Sequence, residues 1–327
     1  MTRDRALGAL GGLALGDALG MPTQNQPRDA IRRRYGPVLD DLYPGPDDNE
    51  ISRGRPAGRV TDDTDQAVIL GRLFVAGNGH VDPRTFADAL LAWEERMRAE
   101  GSLDLLGPST RRALAAVARG VSPDETGRWG DTNGAAMRIA PIGVGVRPRP
   151  LEALVDAVEQ ACRVTHHTGV AIAGAAAVAA AVSSGIEGRP LRESLRHAVA
   201  AARLGAGRGH YVPGADVAAR IDWALDLAAE PDLDRIYRLV GTGLATQEAV
   251  PAALAIAALH PDDLWDACRH AASLGGDCDT IAAMTGAVVG AHVGWSSVPA
   301  PIRERLLTAN PALDLPVLVR ELLALRG

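Results

Sequence analysis

Glycine recurs at every fourth position along the apolar stretch that opens the chain: Gly8, Gly12, Gly16 and Gly20. Residues four apart share one slowly drifting face of an α-helix. Each glycine there costs about 1 kcal/mol relative to alanine. Four on one face therefore predict that another backbone approaches closely. A second series, Gly286, Gly290 and Gly294, follows Asp279. The two segments are expected to cross at short distance in the centre of the fold. Chance placement among 36 glycines accounts for one such series more readily than for two.

A helix crossing of this kind suits the rest of the chain. Hydrophobic residues make up 47% but aromatics only 3%, so the core must be built from Ala, Leu and Val. Ala favours helix, and convincing alternating strands are absent. The expected fold is all-α: a compact multi-helix domain spanning residues 1–327. Helical periodicity places helices at about 3–19, 65–77, 83–99, 108–119, 150–163, 167–184, 190–204, 214–229, 246–259, 261–273, 280–293, 299–309 and 315–326. Residues 21–59 form the longest irregular stretch, rich in proline, with one short helix near 29–35. Irregular loops of that length are often lids or binding loops.

Several classes of function are disfavoured. Net charge is −6, lysine is absent, and Arg is interspersed with Asp and Glu. No basic surface for nucleic acid is expected. Cys162, Cys268 and Cys278 are odd in number and contain no CxxC, which fits a reducing cytoplasm better than a disulfide framework. Asp17 interrupts the N-terminal apolar run, against a signal peptide. Residues 171–182 are apolar but too short for a bilayer span, and read as a buried core helix.

Two clusters carry hard oxygen donors at the start of apolar helices. One is Thr61-Asp62-Asp63-Thr64-Asp65; the other is Gly275-Gly276-Asp277-Cys278-Asp279-Thr280. Mg²⁺ or Mn²⁺ wants about six oxygen ligands, more than either supplies, so the pair together could hold one or two ions. No Cys/His set for zinc accompanies them. Taken alone, Thr61–Asp65 reads better as an N-cap, since side-chain oxygens there accept from unpaired backbone N–H groups. The second cluster shifts the balance, because crowded carboxylates repel unless a cation lies among them. Asp17, inside an apolar glycine helix, needs buried partners; it either orients the site or bonds nearby backbone. Asn133-Gly134 is also a common turn dipeptide. His166 and His167 precede an apolar helix and could simply cap it. Arg138 could pair with a phosphate or with a core carboxylate.

These residues lie in segments that resemble a known family. GALGGLALGDALG, GRVTDDTDQAVILGRL, DTNGAAMRIAPIG, THHTGVAIAGAAA and SLGGDCDTIAAMTGAVVGAHVG are similar, in order and spacing, to the signature segments of ADP-ribosylglycohydrolases. That family includes the enzyme that removes ADP-ribose from dinitrogenase reductase. The resemblance spans about residues 6–295. It implies an all-α fold around a binuclear centre of two Mg²⁺ or Mn²⁺. Thr61, Asp62 and Asp63 match its first ligand motif, and Asp277, Asp279 and Thr280 its second. Asn133, Gly134 and Met137 match a substrate-binding loop, and His166 a residue near the bound phosphates or ribose. Asp62 or Asp277 would be the general base. Family members often carry Glu where this chain has Gln24. An amide can hydrogen-bond but cannot serve as a base. Asp47, Asp48 and Glu50 are the acidic candidates nearby to replace it. Cys278 would be a small buried filler turned away from the metals.

The implied activity is metal-assisted hydrolysis at the anomeric carbon of a ribose, through an oxocarbenium-like state. The leading substrate is an ADP-ribosylated protein, modified on an arginine-type side chain. Hydrolysis of a small ribonucleoside or other N-riboside is the alternative that Gln24 keeps open. A non-catalytic, crystallin-like member is the third.

Overall fold

A computed structural model of the protein describes residues 1–102 and 106–326. Helix follows helix through it, and among the described residues β pairing is confined to isolated bridges such as Gln26 with Gly276 and Thr132 with Ala245. The helices are α1 (Thr2–Gly20), α2 (Arg28–Tyr35), α3 (Asp62–Ala76), α4 (Pro83–Ala99), α5 (Pro108–Ala118) and α6 (Pro123–Thr126). They continue as α7 (Ala140–Gly145), α8 (Leu151–Cys162), α9 (Gly169–Ile186), α10 (Leu191–Ala206), α11 (Val217–Leu227) and α12 (Leu233–Arg235). The last are α13 (Thr246–Leu259), α14 (Leu264–Ala272), α15 (Cys278–Val293), α16 (Ala300–Ala309) and α17 (Leu315–Ala324). The expected helices all form. Three short ones, α6, α7 and α12, were not signalled, because three to six residues are too few to show a period and α7 carries a proline and two glycines.

The glycine series do what their spacing predicts. α1 and α15 run antiparallel in direct backbone contact. A Cβ on Gly8 would overlap the Gly290 carbonyl, and one on Gly12 the Gly286 carbonyl. Gly16 meets the Ala282 carbonyl, and Gly20 meets the Asp279 backbone. One member differs from expectation. Gly294 lies beyond the end of α15 at φ +91° and closes it, so its reason is the left-handed C-terminal turn.

Around this pair lies a continuous apolar cluster from Ala6 to Leu322, with a small separate cluster of Ile31, Leu39 and Cys278 beside it. α9 is long and apolar enough to cross a membrane, yet it is buried among its neighbours. It packs chiefly on α10, with α7, α8 and α15 also against it. Alanine at so many of its positions lets neighbouring helices approach, as the small-residue composition requires. Arg138 is completely buried and its hydrogen bonds go to neutral side chains. It donates to Gln66 Oε1 at 2.8 Å and to Thr165 Oγ1, and stacks over Phe86.

Candidate metal and sugar site

The two acidic clusters converge where the N-termini of α3 and α15 meet the C-terminal end of α1. The expected start of α3 was three residues late. Thr61 is the N-cap, and its hydroxyl accepts from the Asp63 backbone N–H at 3.4 Å. Asp62 and Asp63 thus stand in the first helical turn. Capping and site formation are not alternatives here, since Thr61 also donates to Asp63 Oδ2 at 3.2 Å.

Asp17 holds this turn from behind. Fully buried on α1, it accepts from the Thr61 N–H at 2.9 Å, from the Thr64 N–H at 3.1 Å and from the Thr64 hydroxyl. Burial still pushes its carboxyl up to about 6, although these bonds pull the other way. Asp17 is thus a positioning residue for α3.

α15 begins differently. Asp277 is its N-cap by position but makes no side-chain cap bond. Its Oδ2 instead accepts from Asn133 Nδ2. The turn before it is fixed by backbone. Gly276 (φ +71°) exchanges bonds with the 25–26 segment: its carbonyl accepts from the Asn25 N–H at 2.8 Å and its N–H donates to Gln26 O at 3.0 Å. The Asp277 N–H donates to Thr242 O at 2.7 Å. A Cβ on Gly276 would strike that Thr242 carbonyl. Across the gap, Thr280 Oγ1 donates to Asp63 Oδ2 at 3.3 Å and ties the clusters together.

These carboxylates floor a cleft of about 220 Å³. Asp62, Asp277, Asp279 and Thr280 line it, together with Gln24, Asn133, Gly134 and Met137. Thr61 and Asp63 are buried beneath. Asp63 has its carboxyl raised well above the usual range, first by burial, then by the charges of Asp279, Asp17, Asp62 and Asp277. Its Oδ1 is buried with no hydrogen-bond partner. An orphaned carboxylate oxygen among four other carboxylates is costly unless a cation neutralises it. All the facing donors are hard oxygens, which suits Mg²⁺ or Mn²⁺. The residues therefore fit the metal that the resemblance implies.

His166 adjoins the 132–134 turn of the cleft. Fully buried, it lies behind the cleft wall instead of lining it. Its Nε2 meets Thr132 Oγ1 at 3.0 Å and its Nδ1 meets Thr165 Oγ1 at 2.8 Å. A Cβ on Gly134 would press on its ring, so His166 props the 132–134 turn. Burial holds its pKa well below the usual value, helped by Arg138 and Arg112. Asp47, Asp48 and Glu50 are exposed, and none lines the cleft; Asp48 pairs with Arg34 at 2.6 Å. The loop instead contributes Ile51 to the wall, while Asn49 donates to Gln24 O at 2.9 Å. Asp65 leaves the cluster to accept from Trp93 Nε1 at 2.9 Å. Cys278 turns its Sγ to Thr23 Oγ1, 3.2 Å away, and is absent from the lining.

Sequence reasoning missed Leu106, Pro108, Thr110, Arg111 and Leu244, which complete the rim. They come from segments with no shared motif, and only the fold brings them together.

The model of the ADP-ribosylglycohydrolase family matches residues 1–327. The protein YegU of Escherichia coli (strain K12) is 34% identical over 95% of this chain and 94% of its own length. The ADP-ribosylarginine hydrolase Tri1 of Pseudomonas putida (strain GB-1) is 29% identical, covering 90% of this chain and 72% of its own. A solved chain from an ADP-ribosylglycohydrolase-related protein complex superposes with a TM-score of 0.68 at 27% identity. That match covers 100% of this chain and 99% of the other.

Proposed function

The chain belongs to the ADP-ribosylglycohydrolase family and is a glycosidic hydrolase; from that premise we propose that it removes ADP-ribose from an arginine-type side chain of a modified protein, using two Mg²⁺ or Mn²⁺. The observation that carries the metal is the orphaned Oδ1 of Asp63 among four neighbouring carboxylates. The relative named for ADP-ribosylarginine hydrolysis supports the substrate class.

Asp62, Asp63, Asp277 and Asp279 would hold the ions, with Thr61 and Thr280 as hydroxyl donors. Bound there, the ions supply Lewis acidity and charge neutralisation. The remaining work falls to the protein. Asp62 and Asp277 open into the cleft, so either carboxylate can take the proton of an attacking water. Gln66 Nε2 orients Asp62 by donating to Oδ2 at 2.7 Å, and Asn133 orients Asp277. The negative floor favours positive charge developing at the sugar ring as the C–N bond breaks. Met137, Ile51, Leu106 and Leu244 form apolar walls that limit the water around the ring. Gln24 offers an amide at the mouth in place of an acid.

A cleft of about 220 Å³ is smaller than the roughly 300–1,000 Å³ of sites that enclose whole drug-sized ligands. It takes a sugar and leaves the rest of ADP-ribose on the rim, beside Arg111. The same size favours a second reading, hydrolysis of a small ribonucleoside. The buried, unpaired cysteines support placing the protein in the cytoplasm.

The test is product release from ADP-ribosyl-arginine peptide, ADP-ribosyl-serine peptide and free nucleosides, with Mg²⁺, Mn²⁺ or chelator, for wild type and Asp279→Asn. Chelator-sensitive ADP-ribose release from the arginine adduct, lost in the variant, is expected. Release from nucleosides alone would replace the first reading with the second. No release from any substrate by folded, metal-loaded protein would overturn both.

A further inference from the structure

A different set of ligands gathers at the corner between α13 and α14. His260 ends α13. Asp266 and His270 lie four residues apart on α14, and so on one face of it. Their ligating atoms all fall within 4.8 Å of one another. None of the three lines the sugar cleft.

The hydrogen bonds around them leave the right atoms free. His270 Nδ1 lies 2.8 Å from Asp266 O. A carbonyl only accepts, so Nδ1 carries the proton and Nε2 presents a bare lone pair. Metal-bound histidines commonly have this arrangement. The His260 and His270 rings stack with centroids 4.2 Å apart and a 29° tilt, which places the two imidazoles side by side. Arg269 Nη1 donates to Asp266 Oδ1 at 2.6 Å and holds that carboxylate in place.

We propose that His260, Asp266 and His270 form a second metal site, selective for Zn²⁺ or a similar transition ion. Two imidazoles and one carboxylate are the ligand set such ions prefer, whereas the all-oxygen carboxylate cluster suits Mg²⁺ or Mn²⁺. Water would complete a four-coordinate shell. The ion would join the end of α13 to α14, the helix that leads through Ser273 and Leu274 into the Gly275-Gly276 turn.

The experiment is Co²⁺ titration followed by visible absorption, with saturating Mg²⁺ keeping the carboxylate cluster occupied, on wild type, His270→Ala and Asp266→Asn. Thermal melting with Zn²⁺ accompanies it. Wild type should take up an additional Co²⁺ per chain with absorption typical of nitrogen ligation. It should also melt about 5 °C higher at a hundredfold excess of Zn²⁺ over Kd. His270→Ala should lose both responses and Asp266→Asn should weaken them, while both variants melt normally without metal. Equal uptake and equal melting shifts in wild type and His270→Ala, or no Co²⁺ uptake by wild type under Mg²⁺, would overturn the site. Neither result bears on the sugar cleft, whose own test is substrate release.

Discussion

The two halves of the candidate site are both helix beginnings, yet they are held in opposite ways. The start of α3 is fixed by side chains: Thr61 caps it, and Asp17 takes two backbone N–H groups and the Thr64 hydroxyl. The start of α15 is fixed by main chain, through Asn25, Gln26 and Thr242 bonding around a left-handed Gly276. A side-chain anchor is a local contract among a few residues. A backbone anchor draws on distant loops and tolerates almost no added atom. The α3 half should therefore answer to chemistry and the α15 half to shape.

The largest expected effect treats both halves alike. Asp63→Asn and Asp279→Asn should each lower Mg²⁺-stimulated release of ADP-ribose by about 10³-fold, the scale of losing one central electrostatic contact. In chelator, Asp63→Asn should melt above wild type, because it removes a buried charge that four carboxylates oppose. An unchanged or lower melting temperature would show that Asp63 is not crowded.

The halves should then diverge. Gly276→Ala should destabilise the protein by about 2–3 kcal/mol in urea unfolding, through left-handed strain and overlap with Thr242. Asp17→Asn should leave the fold in place but raise the Mg²⁺ concentration needed for half-maximal activity by 10–100-fold, as for other residues that orient ligands. If Asp17→Asn unfolds the chain, or Gly276→Ala is neutral, the division between chemical and shape anchoring fails.

His166 gives the smallest test, on the wall between the halves. Its folded-state pKa lies below the usual value, so the unfolded chain binds its proton first as pH falls. Stability from the neutral ring is fully present above about 6.5 and declines below it, by at most about 1.4 kcal/mol per pH unit. Melting of wild type between pH 7 and 5 should fall more steeply than that of His166→Gln. Parallel slopes would mean the ring is not held neutral.

Much of this protein was legible in its sequence because the signals were local or periodic. The four-residue glycine spacing fixed the α1–α15 crossing, since no side chain fits between two backbones in contact. Dense acidic pairs at helix starts pointed to both halves of the candidate site, and proline and aspartate caps marked helix boundaries such as Pro83. Tertiary structure decided which oxygens would be buried together, because the orphaning of Asp63 depends on an α15 carboxylate more than 200 residues away in sequence. It also put His166 behind the wall, brought Asn49 instead of Glu50 to Gln24, and drew the rim from the 106–111 segment and distant Leu244. Helical period and capping are properties of neighbours along the chain, whereas desolvation and charge crowding are properties of neighbours in space.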